Sequence, residues 1–275
     1  MPIIHAIVLG IVQGLTEFLP ISSSGHLILV PWLFHWHDFD DKSVEKAFDV
    51  ALHIGTLVAV VAYFWSDLVV YVRDGARAVF HRDEPVTEEG RLAWLFVLSS
   101  IPAFIVGGLF GDTIDDKLGG IPLIAISLIA FGLLLGYADR SARTVRPVEA
   151  FQRRDAVFVG VAQVLALNPG TSRSGITITA GRFRTFTRDA AARISFLMAI
   201  PVTAGAIVFE MAKLVKDGMP DGLLGPMLIG IVTSGVFGWL AVWGTIKYVR
   251  NHSYLPFVIY RVVVGVIVLI IYIAR

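Results

Sequence analysis

The sequence predicts an all-α polytopic membrane protein, and its composition and its apolar runs carry this prediction. Of the 275 residues, 56% are hydrophobic and only 16% are charged, whereas a soluble domain carries about 25% charged residues. The mean hydropathy is +0.73. Six apolar runs approach the roughly 20 residues with which a helix crosses about 30 Å of hydrocarbon. They are residues 48–72, 92–111, 121–138, 190–212, 222–246 and 254–273.

The charge balance and the cysteine count exclude several other classes of protein. Lys and Arg number 23 and Asp and Glu number 22, which argues against a nucleic-acid-binding protein because such proteins show a basic excess. The chain has no Cys, so disulfides, thiolate metal sites and cysteine nucleophiles are excluded. The first four residues include no basic side chain, and we therefore expect no cleaved signal peptide.

Two further apolar segments are interrupted by Pro, Ser and Gly. The first has apolar arms at 3–19 and 27–34 around a break at 20–26, and the second has arms at 157–167 and 176–180 around a break at 168–175. Irregular backbone at membrane depth is tolerated where it is buried in protein or lines a wet cavity. We predict that both segments are re-entrant helical hairpins; two ordinary helices joined by a surface loop are the alternative.

The two broken segments also resemble each other when the sequence is shifted by 150 residues. Between 10–25 and 160–175, six of sixteen positions are identical: Gly10/Gly160, Gln13/Gln163, Leu15/Leu165, Ser22/Ser172, Ser24/Ser174 and Gly25/Gly175. Three long apolar runs follow each broken segment. The sequence therefore predicts two repeats, about 1–145 and 150–275, within a single membrane domain. Because a hairpin returns to its own side and three helices then cross, the repeats should have inverted topology.

The distribution of basic residues predicts the orientation. Cytoplasmic loops of membrane proteins carry an excess of Lys and Arg. One predicted face carries fourteen of them: Arg73, Arg77, Arg82, Arg91, Arg140, Arg143, Arg146, Arg153, Arg154, Arg182, Arg184, Arg188, Lys247 and Arg250. The other face carries six: Lys42, Lys46, Lys117, Lys213, Lys216 and Arg275. We expect both termini outside, with the hairpin tips meeting near the midplane, where inverted-repeat proteins place their sites.

Polar residues at membrane depth are functional candidates, because their burial in lipid is costly. The first broken segment contains Gln13, Glu17, Ser22, Ser23, Ser24 and His26, and the second contains Gln163, Asn168, Thr171, Ser172, Arg173, Ser174, Thr177 and Thr179. A carboxylate, a hydroxyl, an imidazole and a guanidinium form a set suited to phosphoryl transfer. The run from Gly170 to Gly175 resembles an anion-binding nest at a helix start. Tight helix packing for the serines, and a structural Glu17–Arg173 ion pair, are the alternatives.

Two long motifs carry a resemblance to a known family. They are residues 13–26, QGLTEFLPISSSGH, and residues 169–177, PGTSRSGIT. They resemble the signature motifs of the bacterial undecaprenyl-diphosphate phosphatases of the bacitracin-resistance type, and the resemblance extends over the whole chain. It implies an integral membrane enzyme that removes the terminal phosphate of undecaprenyl diphosphate, regenerating the monophosphate carrier for the cell wall. It also implies a divalent cation, Mg²⁺ or Ca²⁺, and an active site open to the periplasm of the inner membrane.

The same resemblance implies roles for particular residues. Catalytic roles fall on Glu17, Ser23, His26 and Arg173, with Glu17 also a metal ligand. Substrate-binding roles fall on Gln13, Ser22, Ser24, Gly170, Thr171, Ser172, Ser174 and Thr177. Position 13 is Gln here, where some members have a second Glu, so a two-carboxylate metal site is in doubt. Either Ser23 or His26 is the expected nucleophile, with Ser23 slightly favoured.

The predicted partners are a polyprenyl diphosphate and membrane lipids, without nucleic acid; a homodimer stays open. Inverted repeats with broken helices are also typical of transporters, so a transporter or flippase of a polyprenyl phosphate is the alternative function. Three weaker features remain. Asp49 and His53, one helical turn apart, either face the site or form a helix-end pair. An ion pair between Arg261 and Glu210, both within apolar runs, is open. A predicted outside loop contains Asp112, Asp115 and Asp116.

Overall fold

The computed structural model describes residues 1–39, 42–81, 83–141, 145–217 and 222–275, with residues 42, 43, 112, 115, 116 and 213–217 described by their backbone alone. These ranges form eleven α-helices and two single-turn 3-10 helices, Val148–Ala150 and Leu165–Leu167. The α-helices are α1 Ile3–Phe18, α2 Ser23–Phe34, α3 Lys42–Tyr63, α4 Trp65–Phe80, α5 Glu88–Leu118, α6 Ile121–Ser141, α7 Arg153–Val164, α8 Arg173–Phe183, α9 Arg188–Asp217, α10 Leu224–Val249 and α11 Leu255–Ala274.

Five helices are long and apolar enough to cross a membrane: α5, α6, α9, α10 and α11. They coincide with five of the six predicted apolar runs, so the prediction of an all-α polytopic membrane protein is confirmed. The helix α5 continues to Leu118, and the residues predicted to lie in an outside loop at 112–116 are therefore helical. The side chains of Asp112, Asp115 and Asp116 lie outside the described residues, as do Arg82 and Arg143.

The remaining run, 48–72, is not one continuous helix. It is divided between α3 and α4, whose axes differ by 85° at the break. Phe64 occupies the corner with a non-helical backbone and is buried. The physical reason lies in α4, where Asp67, Arg73 and Asp74 would be costly within hydrocarbon. A helix that mixes apolar and charged faces is stable along the membrane surface.

Both predicted breaks occur where the sequence places them. α1 ends before Pro20, and α8 begins after Pro169. The residue preceding each proline, Leu19 and Asn168, has an extended backbone, because the proline ring disfavours a helical conformation there. The insertion of these hairpins into the membrane, the duplication and the inverted topology stay predictions.

Close helix packing places the first break inside the bundle. α1 and α3 both pack against α10, and α6 packs against α11. A Cβ added to Gly14 would lie 2.7 Å from the backbone oxygen of Ser234, so only glycine allows this approach of α1 to α10. Phe18 at the end of α1 packs edge-on against Phe196 of α9, with ring centroids 5.3 Å apart. These contacts fix the end of α1, which carries Glu17.

Buried ion pairs hold together the end of the bundle that carries most arginines. Asp155 accepts hydrogen bonds from Arg146 at 2.6 Å and from Arg184 at 2.6 Å. Asp139 accepts from Arg182 and from Arg188. Burial by itself would raise the pKa of Asp155, but the hydrogen bonds from the two arginines outweigh it and hold this pKa below its ordinary value.

Candidate active site

The carboxylate of Glu17, at the end of α1, is the centre of a cluster of polar side chains. It is 7% exposed. Ser23 Oγ donates to its Oε2 at 2.6 Å, and Arg173 Nη2 donates to its Oε1 at 2.9 Å. Gln13 Nε2, one turn earlier on the same helix, donates to Oε2 at 3.1 Å. The structure thus brings together four predicted site residues from the two broken segments.

The two breaks are also bonded directly to each other. Ser22 Oγ accepts from Gly25 N at 3.3 Å and from Gly170 N, in the other break, at 3.1 Å. In return, Ser174 Oγ donates to Leu19 O at 3.0 Å. Ser172 caps α8 as Ser22 caps α2, with its Oγ accepting from Gly175 N at 3.0 Å.

Ser22 and Ser172 share an unusual backbone conformation. Their φ angles are 80° and 73°, in a region that costs a non-glycine residue of the order of 1–3 kcal/mol. The surrounding hydrogen bonds hold both residues there. The first turn of α2 and the first turn of α8 both adjoin the polar cluster around Glu17. Free backbone N–H groups at the start of a helix favour the binding of anions.

The imidazole of His26 is directed away from Glu17 and towards α11. Its Nδ1 lies 2.6 Å from Ser22 O, and its Nε2 lies 2.8 Å from the hydroxyl of Tyr260. Nδ1 must donate to the carbonyl, so Nε2 accepts from the Tyr260 hydroxyl in the neutral ring. Both ring nitrogens are therefore occupied within the protein. The sequence grouped His26 with Glu17 and Ser23, and Tyr260 carried no signal that would have identified it.

Most hydroxyls predicted to bind substrate already have protein partners. Thr177 Oγ1 lies 2.7 Å from Ser195 Oγ and donates to Arg173 O at 2.8 Å. Thr171 accepts from Asn168 at 3.2 Å and is fully buried. Ser24, by contrast, is exposed. Ligation of substrate by these residues stays a prediction; the described contacts of Thr171 and Thr177 lie within the second break and between α8 and α9.

His53 joins the cluster from α3. Its Nδ1 lies 2.7 Å from Asp49 O and its Nε2 lies 3.7 Å from Glu17 Oε2. The ring is thus oriented towards Glu17 through the backbone oxygen of Asp49. The signal was an ionisable pair one turn apart in an apolar run, and the structure places only His53 against Glu17. Ser195, which accepts from Arg173 Nη1 through its backbone oxygen at 3.3 Å, had no sequence signal.

The cluster contains donors that suit a hard divalent cation. Gln13 Oε1 is buried and has no hydrogen-bond donor among the described residues, and Nε2 of the same amide donates to the Glu17 carboxylate. Mg²⁺ and Ca²⁺ take oxygen ligands, and Mg²⁺ is commonly held by one or two carboxylates together with substrate phosphates. Within the described part of the chain, no group of three His, Asp or Glu side chains has the spacing of a metal site. The residues present therefore fit a cation shared with a phosphate substrate.

Comparison with known proteins identifies the family. The model of the family "Bacitracin resistance protein BacA" matches residues 6–267. The chain belongs to this family. It is 45% identical over 271 residues to the undecaprenyl-diphosphatase of Geotalea daltonii, covering 98% of each chain. It is also 45% identical over 276 residues to the undecaprenyl-diphosphatase of Geobacter sulfurreducens, covering 100% of each chain. The resemblance stated from the two motifs is confirmed, and the protein is a multi-pass membrane protein of the BacA family.

Proposed function

We propose that this protein is a membrane phosphatase that hydrolyses undecaprenyl diphosphate to undecaprenyl phosphate and phosphate. The observation that supports this most is the 2.6 Å hydrogen bond from Ser23 Oγ to Glu17, with Arg173 on the other oxygen of the same carboxylate. A hydroxyl bonded to a base is an activated nucleophile, and an arginine fork binds phosphate oxygens. The relatives named above bear the name of the same activity.

In the first step, Ser23 attacks the distal phosphorus of the diphosphate. Glu17 accepts the Ser23 proton as the bond from Oγ to phosphorus forms. The bond from that phosphorus to the bridging oxygen breaks, and undecaprenyl phosphate leaves. Arg173 donates to Glu17 through Nη2 and to Ser195 O through Nη1, and its remaining N–H groups neutralise charge on the transferred phosphoryl group.

In the second step, water attacks the phosphoserine. The Ser23 oxygen leaves phosphorus and regains the proton held by Glu17, and the proton of the water goes to the released phosphate. His26 is the alternative nucleophile, but Tyr260 and Ser22 occupy its ring nitrogens. The geometry therefore favours Ser23, and we assign His26 to the support of α2 against α11.

A divalent cation, Mg²⁺ or Ca²⁺, belongs to this proposal. Glu17 and Oε1 of Gln13, which has no hydrogen-bond partner in the part of the chain that the structure describes, would hold it, together with oxygens of the diphosphate. It would supply positive charge against the charge of the substrate. His53 also adjoins the Glu17 carboxylate, with its Nε2 3.7 Å from Glu17 Oε2.

We place the protein in the bacterial inner membrane with its active site open to the periplasm, on the positive-inside pattern of the arginines. Polyprenyl diphosphate is the substrate, and homodimer formation stays open. A transporter needs an anion site but no nucleophile, so the Ser23–Glu17 pair favours the phosphatase over the flippase.

Phosphate release by the purified protein from a short-chain prenyl diphosphate tests the proposal. The wild-type protein should release one phosphate per substrate with Mg²⁺ or Ca²⁺. Arg173→Lys should lower kcat/KM on the order of 100-fold, because an ammonium cannot reproduce a planar fork. Arg250 pairs with Asp189 at the surface. Arg250→Lys is therefore the matched control and should retain activity. Absence of phosphate release with either ion, alongside lipid movement in vesicles, would establish the transporter instead.

A further inference from the structure

Arg261, in the middle of α11, is a fully buried cation whose role differs from that of Arg173. Each described contact of its guanidinium is with a backbone carbonyl oxygen. Two acceptors belong to α6, where Nε donates to Leu128 O at 3.1 Å and Nη2 to Ser127 O at 3.4 Å. Three others belong to the two breaks, where Nη1 donates to Pro20 O at 3.2 Å and Nη2 to Gly170 O and Thr171 O, each at 2.9 Å.

This arrangement supplies donors to carbonyl groups of the two breaks, which lie outside the helices and therefore outside the helical hydrogen-bond pattern. Carbonyl groups without donors are costly at membrane depth. The guanidinium offers five N–H donors in one plane, so a single side chain serves both breaks and α6. The sequence had left open an ion pair of Arg261 with Glu210; among the described contacts, Glu210 Oε1 lies 3.7 Å from Lys46 Nζ and the Arg261 guanidinium contacts backbone oxygens.

Two glycines leave the space that this side chain occupies. A Cβ added to Gly132 of α6 would lie 3.0 Å from Arg261 Cβ, and a Cβ added to Gly175 of α8 would lie 2.8 Å from Arg261 Nη1. Gly132 lies in α6, outside both breaks. Its contact is with the stem of the arginine, so an added methyl group there displaces the arginine without removing its charge.

The contacts of Arg261 connect the two halves of the catalytic cluster. Pro20 is three residues before Ser23, and Thr171 is two residues before Arg173. We propose that Arg261 is a positioning residue, which fixes the nucleophile and base of the first break relative to the phosphate-binding arginine of the second. The proposal rests on the proposed phosphatase function. The described contacts of its guanidinium are all with the protein backbone, so we expect its effect in turnover rather than in substrate affinity.

Replacement by lysine separates positioning from simple folding. Lysine has three donors and no planar fork, so it cannot hold both breaks and α6 together. In the Arg261→Lys protein we expect kcat for prenyl diphosphate hydrolysis to fall at least tenfold, and by about 100-fold if the reacting groups shift by about 1 Å. KM should change by less than about threefold, because the substrate ligands remain.

Arg182 provides a matched control. It is as deeply buried as Arg261, but it pairs with Asp139 and with Phe186 O. Arg182→Lys should lower the melting temperature without a selective loss of kcat. Gly132→Ala is the second variant, and we expect a several-fold loss of kcat at unchanged KM.

All proteins are purified in full length, compared by melting temperature and assayed side by side. Absence of activity in the wild-type protein contradicts the proposed function, whereas an active wild type with unchanged kcat in Arg261→Lys overturns the positioning role. A loss of kcat that Arg182→Lys reproduces overturns it as well. If Arg261→Lys does not fold, the folded Gly132→Ala protein decides: kcat within twofold of wild type overturns the proposal.

Discussion

Ser23 Oγ donates a hydrogen bond of 2.6 Å to Oε2 of Glu17 across the break between α1 and α2. The two residues are six positions apart in the chain, and Pro20 lies between them. In one continuous helix, residues six apart lie on different faces, because 3.6 residues complete each turn. The proline break thus creates the contact on which the proposed role of Ser23 as nucleophile rests.

Removal of the Ser23 hydroxyl should abolish turnover. We expect Ser23→Ala to lower kcat on the order of 1,000-fold or more, since the attacking atom is lost. Phosphate release under single-turnover conditions measures this effect. Ser141→Ala removes a hydroxyl that donates to Tyr137 O at the exposed end of α6, and it should retain wild-type activity. Near-normal kcat in Ser23→Ala would exclude Ser23 as the nucleophile.

The covalent intermediate should be a phosphoserine. Substrate labelled at its distal phosphate should leave label on the protein that survives acid and is released by base, because phosphohistidine is acid-labile. Tyr260→Phe should give the same acid-stable label, since removal of the hydroxyl frees His26 Nε2 but leaves the Ser23–Glu17 pair intact. Acid-labile label in the wild type would assign the nucleophile to His26.

The amide at position 13 should determine the affinity for a divalent cation. Gln13→Glu adds a carboxylate next to Glu17, and ligand charge raises cation affinity. We expect the Mg²⁺ concentration for half-maximal activity to fall about tenfold, and direct Mn²⁺ binding, followed by electron paramagnetic resonance, to tighten in parallel.

Gln163→Glu is the matched control for that experiment. Gln163 is the counterpart of Gln13 at the 150-residue offset, is likewise buried, and donates to Ser99 O. Its replacement should leave Mn²⁺ affinity unchanged. Equal Mn²⁺ affinity in wild type and Gln13→Glu would remove position 13 from the cation site.

The ion pairs of Asp155 should contribute to stability rather than to catalysis. We expect Asp155→Asn to lower the free energy of unfolding by about 3 kcal/mol, at the lower end for a buried pair, because the Arg184 side chain is 39% exposed. Asp189→Asn, at a more exposed pair, should cost about 1 kcal/mol or less.

The pH dependence of the Asp155 effect follows from its lowered pKa. A carboxyl whose folded-state pKa is lowered contributes stability that is fully present above its unfolded-state pKa of about 3.9 and is lost as the pH falls through the folded-state pKa. The difference in melting temperature between wild type and Asp155→Asn should therefore be the same at pH 6 and at pH 8. A difference that vanished at pH 6 would contradict this assignment.

The spanning helices, the two breaks and the polar residues next to Glu17 could be predicted from the sequence. Five spanning helices follow from the lengths of their apolar runs, and both breaks follow from prolines that disfavour helix in the preceding residue. Glu17, Ser23 and Arg173 were among the candidates because polar groups at membrane depth are costly, and the resemblance of the two motifs to a known family distinguished them from the other polar residues. These are properties of single segments, and they are visible in the amino-acid sequence without knowledge of the fold.

The distant residues that contact Glu17, His26 and the two breaks could be identified only from the folded structure. The approach of His53 to Glu17, of Tyr260 to His26 and of Arg261 to both breaks joins residues that lie between 36 and more than 230 positions apart in the chain. The bend at Phe64 likewise interrupted a run that was apolar enough for one helix. Arg261 was visible in the sequence as a charge, but its acceptors are backbone carbonyls, and every residue type offers a carbonyl. Only the packing of α11 against α6 and the two breaks selects which of them the arginine binds.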